Sequence, residues 1–352
     1  MPPIFQSQPP KNPLRPTRCE WRVWIAVWLG LFAAGIGFAA PSATNAPAWP
    51  PPPAEPYIVY VRAIAGPADI GVKPFMLMRF ANWITGVSGD KHNLDKPFGI
   101  SLDAAGNLLV TDTGANTVSY LDLTHKKWLH WNSVGKQHFL SPVAAVHREQ
   151  TFYVADSALG KVLAFDEKGK LQFAITDELA RPTGLALAGD RLIIADSQLH
   201  QVVICNVRGE FISKFGRRGK GPGEFNFPTH VSVDELGRIY VTDSLNERIQ
   251  VFDAQGQFLR AFGSVGDGPG HFTRPKGVAV DHAGHVYVVD ALFDNVQIFD
   301  DRDRLLLAWG EAGSAPGQFW LPNAIAINAA NEIFVADAYN HRIQIFRYTG
   351  KL

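Results

Sequence analysis

The 352-residue chain is short of cysteine, of net charge and of catalytic motifs, and each shortage narrows what it can be. Its only cysteines are Cys19, in a basic leader, and Cys205, so no disulfide framework is available to the body. Cys205 has no His or Cys beside it and is expected to be a small buried apolar residue rather than a nucleophile. Gly-x-Ser-x-Gly, His-Glu-x-x-His and Cys-x-x-Cys are all absent. Net charge is zero, from 33 basic and 33 acidic residues. Lys11, Arg15, Arg18 and Arg22 outweigh Glu20 in the leader, which leaves the rest at about −3, without the basic excess of a general nucleic-acid binder.

What the chain has instead is repetition. Residues 274–310 contain four short apolar runs, Val278–Val280, Val286–Val289, Val296–Phe299 and Leu305–Trp309, separated by turn formers, the pattern of a four-stranded antiparallel meander. The Asp closing the second run recurs at Asp112, Asp156, Asp196, Asp243, Asp290 and Asp337, with spacings of 44, 40, 47, 47 and 47. A period in the forties with four strands per unit describes a β-propeller blade, and the runs are too short and too β-branched for helical repeats. The fold class is therefore all-β: a six-bladed propeller over residues 57–350, with blades from about residue 97.

The last repeat ends after three strands, near Gly350. Tyr57–Ala65 alternates as a strand, and Arg62-Ala63-Ile64 echoes Arg260-Ala261-Phe262, so residues 57–66 are expected to supply the missing strand and close the ring. Between them and the first blade, residues 67–96 leave the repeat, and Met76, Phe80, Trp83, Ile84 and Val87 share one helical face, predicting an amphipathic helix that caps the ring or docks a partner. Upstream, residues 1–40 form a basic leader followed by an apolar segment from Trp21 to Ala40. Small residues at Gly37, Ala39 and Ala40 suit signal-peptide cleavage, and 18 apolar residues from Val23 equally suit an uncleaved membrane-anchor helix. Either fate exports the body, to the periplasm or the outer face of the cell membrane. Residues 41–56, rich in proline, are expected to form an extended linker unable to pair in a sheet.

The string FPTHVSVDELGRIYVTDSLNERIQVFDAQGQFLRAFG (227–263) and Asn340-His-Arg-Ile343 resemble the NHL repeat, over roughly residues 57–350. The layout before the first repeat is similar to that of exported bacterial NHL-propeller proteins. This resemblance implies a propeller that binds a protein, peptide or envelope ligand on one face. Related propellers that are lyases or lactonases use metal-bound histidines or Glu, Asn and Asp, and some animal relatives bind RNA; export and charge oppose nucleic acid here.

Site candidates follow from the register. The six repeated Asp residues are expected to hold turn N–H groups rather than to act as a carboxylate ring. Five positions on, Thr117, Lys161, Gln201, Arg248, Asn295 and Arg342 vary, which makes Lys161, Gln201, Arg248, Asn295 and Arg342 candidates for partner contact. The position near the start of each innermost strand reads Gly99, Ala144, Gly184, His230, Gly277 and Ala324, so His230 is the one imidazole at the channel mouth, too few for a zinc site. No cofactor and no resident metal is expected. The leading expectation is a binding scaffold; the alternative is a metal-assisted lyase or lactonase centred near His230. Three Gly-rich loops, Gly216–Phe225, Gly263–Phe272 and Gly310–Phe319, look like phosphate cradles but lead into strands, and are expected to be connectors. His282 and His285 are expected to be solvated, and Asp300, Asp301 and Asp303 to be turn residues rather than a calcium loop.

Overall fold

The structure, a computed structural model, describes residues 46–72 and 92–350. It is a ring of six antiparallel sheets. Blade 1 runs Pro97–Leu102, Leu108–Asp112, Thr117–Asp122 and Lys127–Trp131 from the axis outward. Blades 2 to 5 repeat this order from Pro142, Pro182, Pro228 and Pro275. Blade 6 takes Pro322–Ile327, Glu332–Asp337 and Arg342–Tyr348 from the C-terminal end and Ile58–Ile64 from the N-terminal part. Among the described residues, no helix is long and apolar enough to cross a membrane. The apolar segment 21–40 and the expected amphipathic helix around Trp83 lie outside the described residues.

Alternation along the second and third strands explains why blades stack. In blade 5, Tyr287 and Val289 face the boundary with blade 6, and Val286 and Val288 face the boundary with blade 4. Successive side chains leave a strand on opposite faces, so one apolar run supplies two cores. Six apolar clusters result, one in each blade-to-blade boundary. The cluster between blades 6 and 1 joins Ile64, Phe334, Ile343 and Ile345 to Leu108, Val110 and Leu121. That contact closes the circle.

The closing strand pairs as its sequence echo required: Ile64 opposes Ile343 and Ile58 opposes Tyr348, as Phe262 opposes Ile249 in blade 4. The linker expectation needs correction. Ala48–Trp49 forms a fifth, outermost strand on blade 6, opposite Val59 and Ile58. Prolines tolerate this place because an edge strand can act through its acceptors: Tyr57 N–H donates to the Trp49 carbonyl at 2.7 Å and Tyr60 N–H to that of Pro47 at 2.9 Å. The Trp49 ring packs edge-on against Phe346, 5.9 Å between centroids.

The Gly-rich loops are connectors between blades. Phe225, Phe272 and Phe319 are fully buried, each bridged to the start of its own loop at Arg218, Val265 and Ala312. Asp300 accepts the N–H groups of Arg302 and Arg304, so it is a turn residue. Cys205 is buried in the third strand of blade 3, and burial pushes its thiol up to about 11.

Ile58 and Ile64 are both fully buried, contributing roughly 3–6 kcal/mol together, a large share of the 5–15 kcal/mol typical of a whole domain. Deleting residues 57–65 is therefore expected to abolish the cooperative melt of the ring or lower its Tm by more than about 10 °C. Calorimetry of the truncated chain checks this, and a melt like the parent's would contradict closure by this strand.

Candidate functional site

Each innermost strand begins on a proline: Pro97, Pro142, Pro182, Pro228, Pro275 and Pro322. Proline suits a strand's first residue, where its fixed φ fits and no ladder donor is needed. The chain just ahead of it is held by the Asp that ends the second strand. Asp112 accepts the backbone N–H groups of Asp95 at 2.6 Å and Lys96 at 2.9 Å, together with those of Gly114 and Ala115. Asp156, Asp196 and Asp290 hold Ser141, Arg181 and Arg274 in the same way. In blades 4 and 6 side chains take over part of the task. Asp243 is met by Asn246, Arg248 and Gln250, and Asp337 by Asn340, Arg342 and Gln344, each arginine Nε at 2.8 Å. All six carboxylates are buried. The expectation that they accept turn N–H groups holds in blades 1, 2, 3 and 5; Asp243 and Asp337 each accept one backbone N–H, from Asn226 and Trp320, and otherwise side-chain donors.

This anchoring builds a funnel at one end of the channel from four rings of equivalent positions. The neck is the ring Gly99, Ala144, Gly184, His230, Gly277 and Ala324. Its glycines are required by proximity: a Cβ on Gly277 would lie 2.8 Å from the Ala324 Cα, and one on Gly184 2.9 Å from the Thr229 carbonyl oxygen. His230 is the one large side chain at this level. Its Nε2 lies 3.4 Å from Asn323 Nδ2, which also donates to the Phe98 carbonyl at 3.0 Å, so blades 1, 4 and 6 meet across the axis.

Above the neck, a cavity of about 430 Å³ is lined by Phe98, Val143, Thr183, Thr229 and Lys276 from the strand starts. Ser141, Arg181, Phe227 and Arg274 enter from the positions before the prolines, and Thr113, Ser157, Ser197 and Ser244 from those after the Asp residues. Two hydroxyls staple neighbouring blades: Thr183 donates to the Pro228 carbonyl at 3.1 Å and Ser244 to that of Pro275 at 2.9 Å. Thr229 Oγ1 and His230 Nδ1 are buried without a hydrogen-bond partner. With Nε2 accepting from Asn323, the ring proton of His230 sits on Nδ1 and leaves a donor unused.

Among the described residues the lining carries Arg181, Arg274 and Lys276 and no Asp or Glu. The electrostatics show the consequence. Burial, then the Arg274 charge, lowers the Lys276 ammonium to about 8. Burial, then the Lys276 charge, lowers His230 to about 3, so its imidazole is neutral at physiological pH.

Of the candidates named from sequence, His230 alone lines this cavity. Arg248 and Arg342 stand on third strands and are tied to buried Asp243 and Asp337, a structural use. Gln201 is buried and donates to the Glu178 carbonyl at 2.8 Å. Lys161 and Asn295 open the third strands of blades 2 and 5, and Asn295 Oδ1 is buried without a partner. The cations of the mouth were missed. The signal was present at the residue before each strand-opening proline, which reads Lys96, Ser141, Arg181, Phe227, Arg274 and Leu321. Lys96 sits over the Tyr339 ring, 5.1 Å from its centroid. Of the two turn histidines, His282 is exposed as expected and His285 is not. His285 bonds Asp281 at 2.8 Å with its side chain largely buried, and His282 pairs with Glu235. Among the described residues, no group of three or more His, Cys, Asp and Glu is placed to hold a metal ion.

Replacing Asp337 with Ala removes the buried acceptor shared by Trp320 N–H, Asn340, Gln344 and the partly buried Arg342, and is expected to cost about 3–5 kcal/mol in urea unfolding. A loss below about 1 kcal/mol would contradict the anchoring role. For Lys276 the expected sign is opposite. Its folded value lies below the ordinary lysine value of 10.5, so between about pH 8 and 10.5 the unfolded chain binds the extra proton and stability rises with pH. Lys276→Met should therefore raise Tm at pH 7, with the difference from the parent shrinking above pH 10. A lower Tm at pH 7 would overturn this.

Comparison with known proteins agrees with the geometry. A family described as a 6-bladed beta-propeller matches residues 177–238 and 235–293, and the NHL repeat matches residues 319–346. Protein brain tumor of Drosophila melanogaster is 30% identical over 104 residues, covering 27% of this chain and 10% of that protein. Among solved structures, a streptogramin B lyase superposes with a TM-score of 0.54 at 12% identity, over 72% of this chain and 93% of that one. Hydrazine synthase of Kuenenia stuttgartiensis gives 0.54 at 13% identity, over 75% and 99%. A Bacteroides thetaiotaomicron protein of unknown function gives 0.56 at 16%, over 73% and 70%. At these identities the likeness concerns the fold alone. The chain is a six-bladed β-propeller that carries the NHL repeat.

Proposed function

We propose that this protein is an exported recognition module that binds a protein, peptide or cell-envelope ligand at the channel mouth. The observation that carries the reading is the mouth itself: a cavity of about 430 Å³, assembled from blades 1 to 5, that combines cations, hydroxyls and aromatic rings. That volume and mixture are those of a small-ligand or side-chain pocket. His230 supplies no general base near neutrality, because an imidazole held near 3 is a weak proton acceptor. Export rests on the basic leader and the apolar segment 21–40, with the propeller tethered to the membrane if that segment is retained.

The test places a photo-crosslinking side chain at Phe227, in the mouth, or at Leu236. Leu236 is 77% exposed in the turn after the innermost strand of blade 4, on the opposite face. A discrete adduct from Phe227 in intact cells is expected. An adduct from Leu236 alone would move recognition to the other face and contradict the reading. Alkaline phosphatase fused after Gly350 should be active, as an exported enzyme is; an inactive, well-expressed fusion would contradict export. Stoichiometric zinc or calcium in the purified protein, lost with His230→Ala, would favour the lyase or lactonase alternative instead.

A further inference from the structure

We propose that the mouth seats an oxyanion, a carboxylate or phosphate carried on an apolar body, between Arg181 of blade 3 and Arg274 and Lys276 of blade 5. The inference deepens the reading of the mouth as a ligand site and rests on it. Blades 3 and 5 flank blade 4, whose Thr229 and His230 sit between the two sets of cations.

Three observations point to an anionic ligand. First, none of the three cations has an ion pair or a side-chain hydrogen bond among the described residues, although 33 acidic residues are distributed over the chain. Four arginines of the ring that are withdrawn from water do have one: Arg248, Arg342, Arg260 and Arg238 pair with Asp at 2.6 to 3.0 Å, whereas the half-buried Lys276 has none. Second, Lys276 is partly withdrawn from water beside another cation, an arrangement that opposes its own charge. Such unfavourable placements concentrate at sites kept for function. Third, two residues of the lining each carry a buried polar atom without a partner, Thr229 Oγ1 and His230 Nδ1, and a change of rotamer turns either donor toward an oxyanion in the cavity.

The shape of the donor set selects the ligand class. Arginine presents a planar fork that fits carboxylate and phosphate oxygens two at a time, and lysine adds a point charge. Phe98, Val143, Phe227 and Leu245 line the same cavity and suit an apolar body rather than a bare inorganic ion. A cavity of this size holds one such group and not a nucleic-acid backbone.

Isothermal titration of the purified protein at fixed ionic strength tests this with phenyl phosphate, phenylacetate, inorganic phosphate and uncharged benzyl alcohol. Saturable binding of at least one aromatic anion is expected, at least tenfold tighter than inorganic phosphate or benzyl alcohol. Preference for phenyl phosphate identifies a phosphate ligand, and preference for phenylacetate a carboxylate. Lys276→Met and, separately, Arg181→Met with Arg274→Met should each weaken binding at least tenfold. Lys136→Met, an exposed cation outside the mouth, should leave it unchanged. Anions that bind no better than benzyl alcohol, or equally well to all the variants, overturn the proposal. If that happens while the Phe227 crosslink persists, the anion assignment fails and the recognition site stands. Loss of both removes the site itself.

Discussion

A carboxylate buried at the end of each second strand organises this molecule. It receives two to four donors from the turn that follows it and from the segment ahead of the innermost strand, and it does so once per blade. Backbone N–H groups beside a strand start have no ladder partner, and leaving them buried and unpaired would cost about 1–3 kcal/mol each. The Asp therefore fixes where the chain enters the sheet. It also fixes which side chains crown the channel, so one structural bond type links the repeat to the site.

The neck adds a second constraint. Six strands converging on one axis leave room for little beyond glycine and alanine, which is why those residues hold five of the six positions there. His230 breaks that rule and narrows the space on the axis, in contact with Asn323. The mouth above it is a cup that narrows to this ring. Within that cup the arrangement departs from what stability alone would choose: like charges neighbour one another, and buried donors lack acceptors. Both features follow naturally from a surface completed by a ligand.

Much of this was legible in the residues. The Asp spacing gave the blade count, and the Arg62-Ala63-Ile64 echo gave the closing strand with its register, because a propeller's period and its two-residue alternation are local properties. The edge strand at Ala48–Trp49 was hidden because proline density was read as a bar to all pairing, whereas an edge needs only acceptors. The site was hidden for a different reason. Arg248 and Arg342 vary among the repeats, which looked like variation for a partner. They vary because blades 4 and 6 anchor their Asp with side chains and the other blades use backbone donors. Arg181 lies 93 residues before Arg274 and 95 before Lys276 and meets them only through the ring, while a neutral composition masks their local excess.

The most direct measurement is an NMR titration of the Lys276 side-chain ammonium, in the free protein and with phenyl phosphate or phenylacetate bound. A mouth built to receive an anion predicts a free value near 8 that rises by a unit or more when the anion is present. An ordinary lysine titration that neither ligand moves would contradict it.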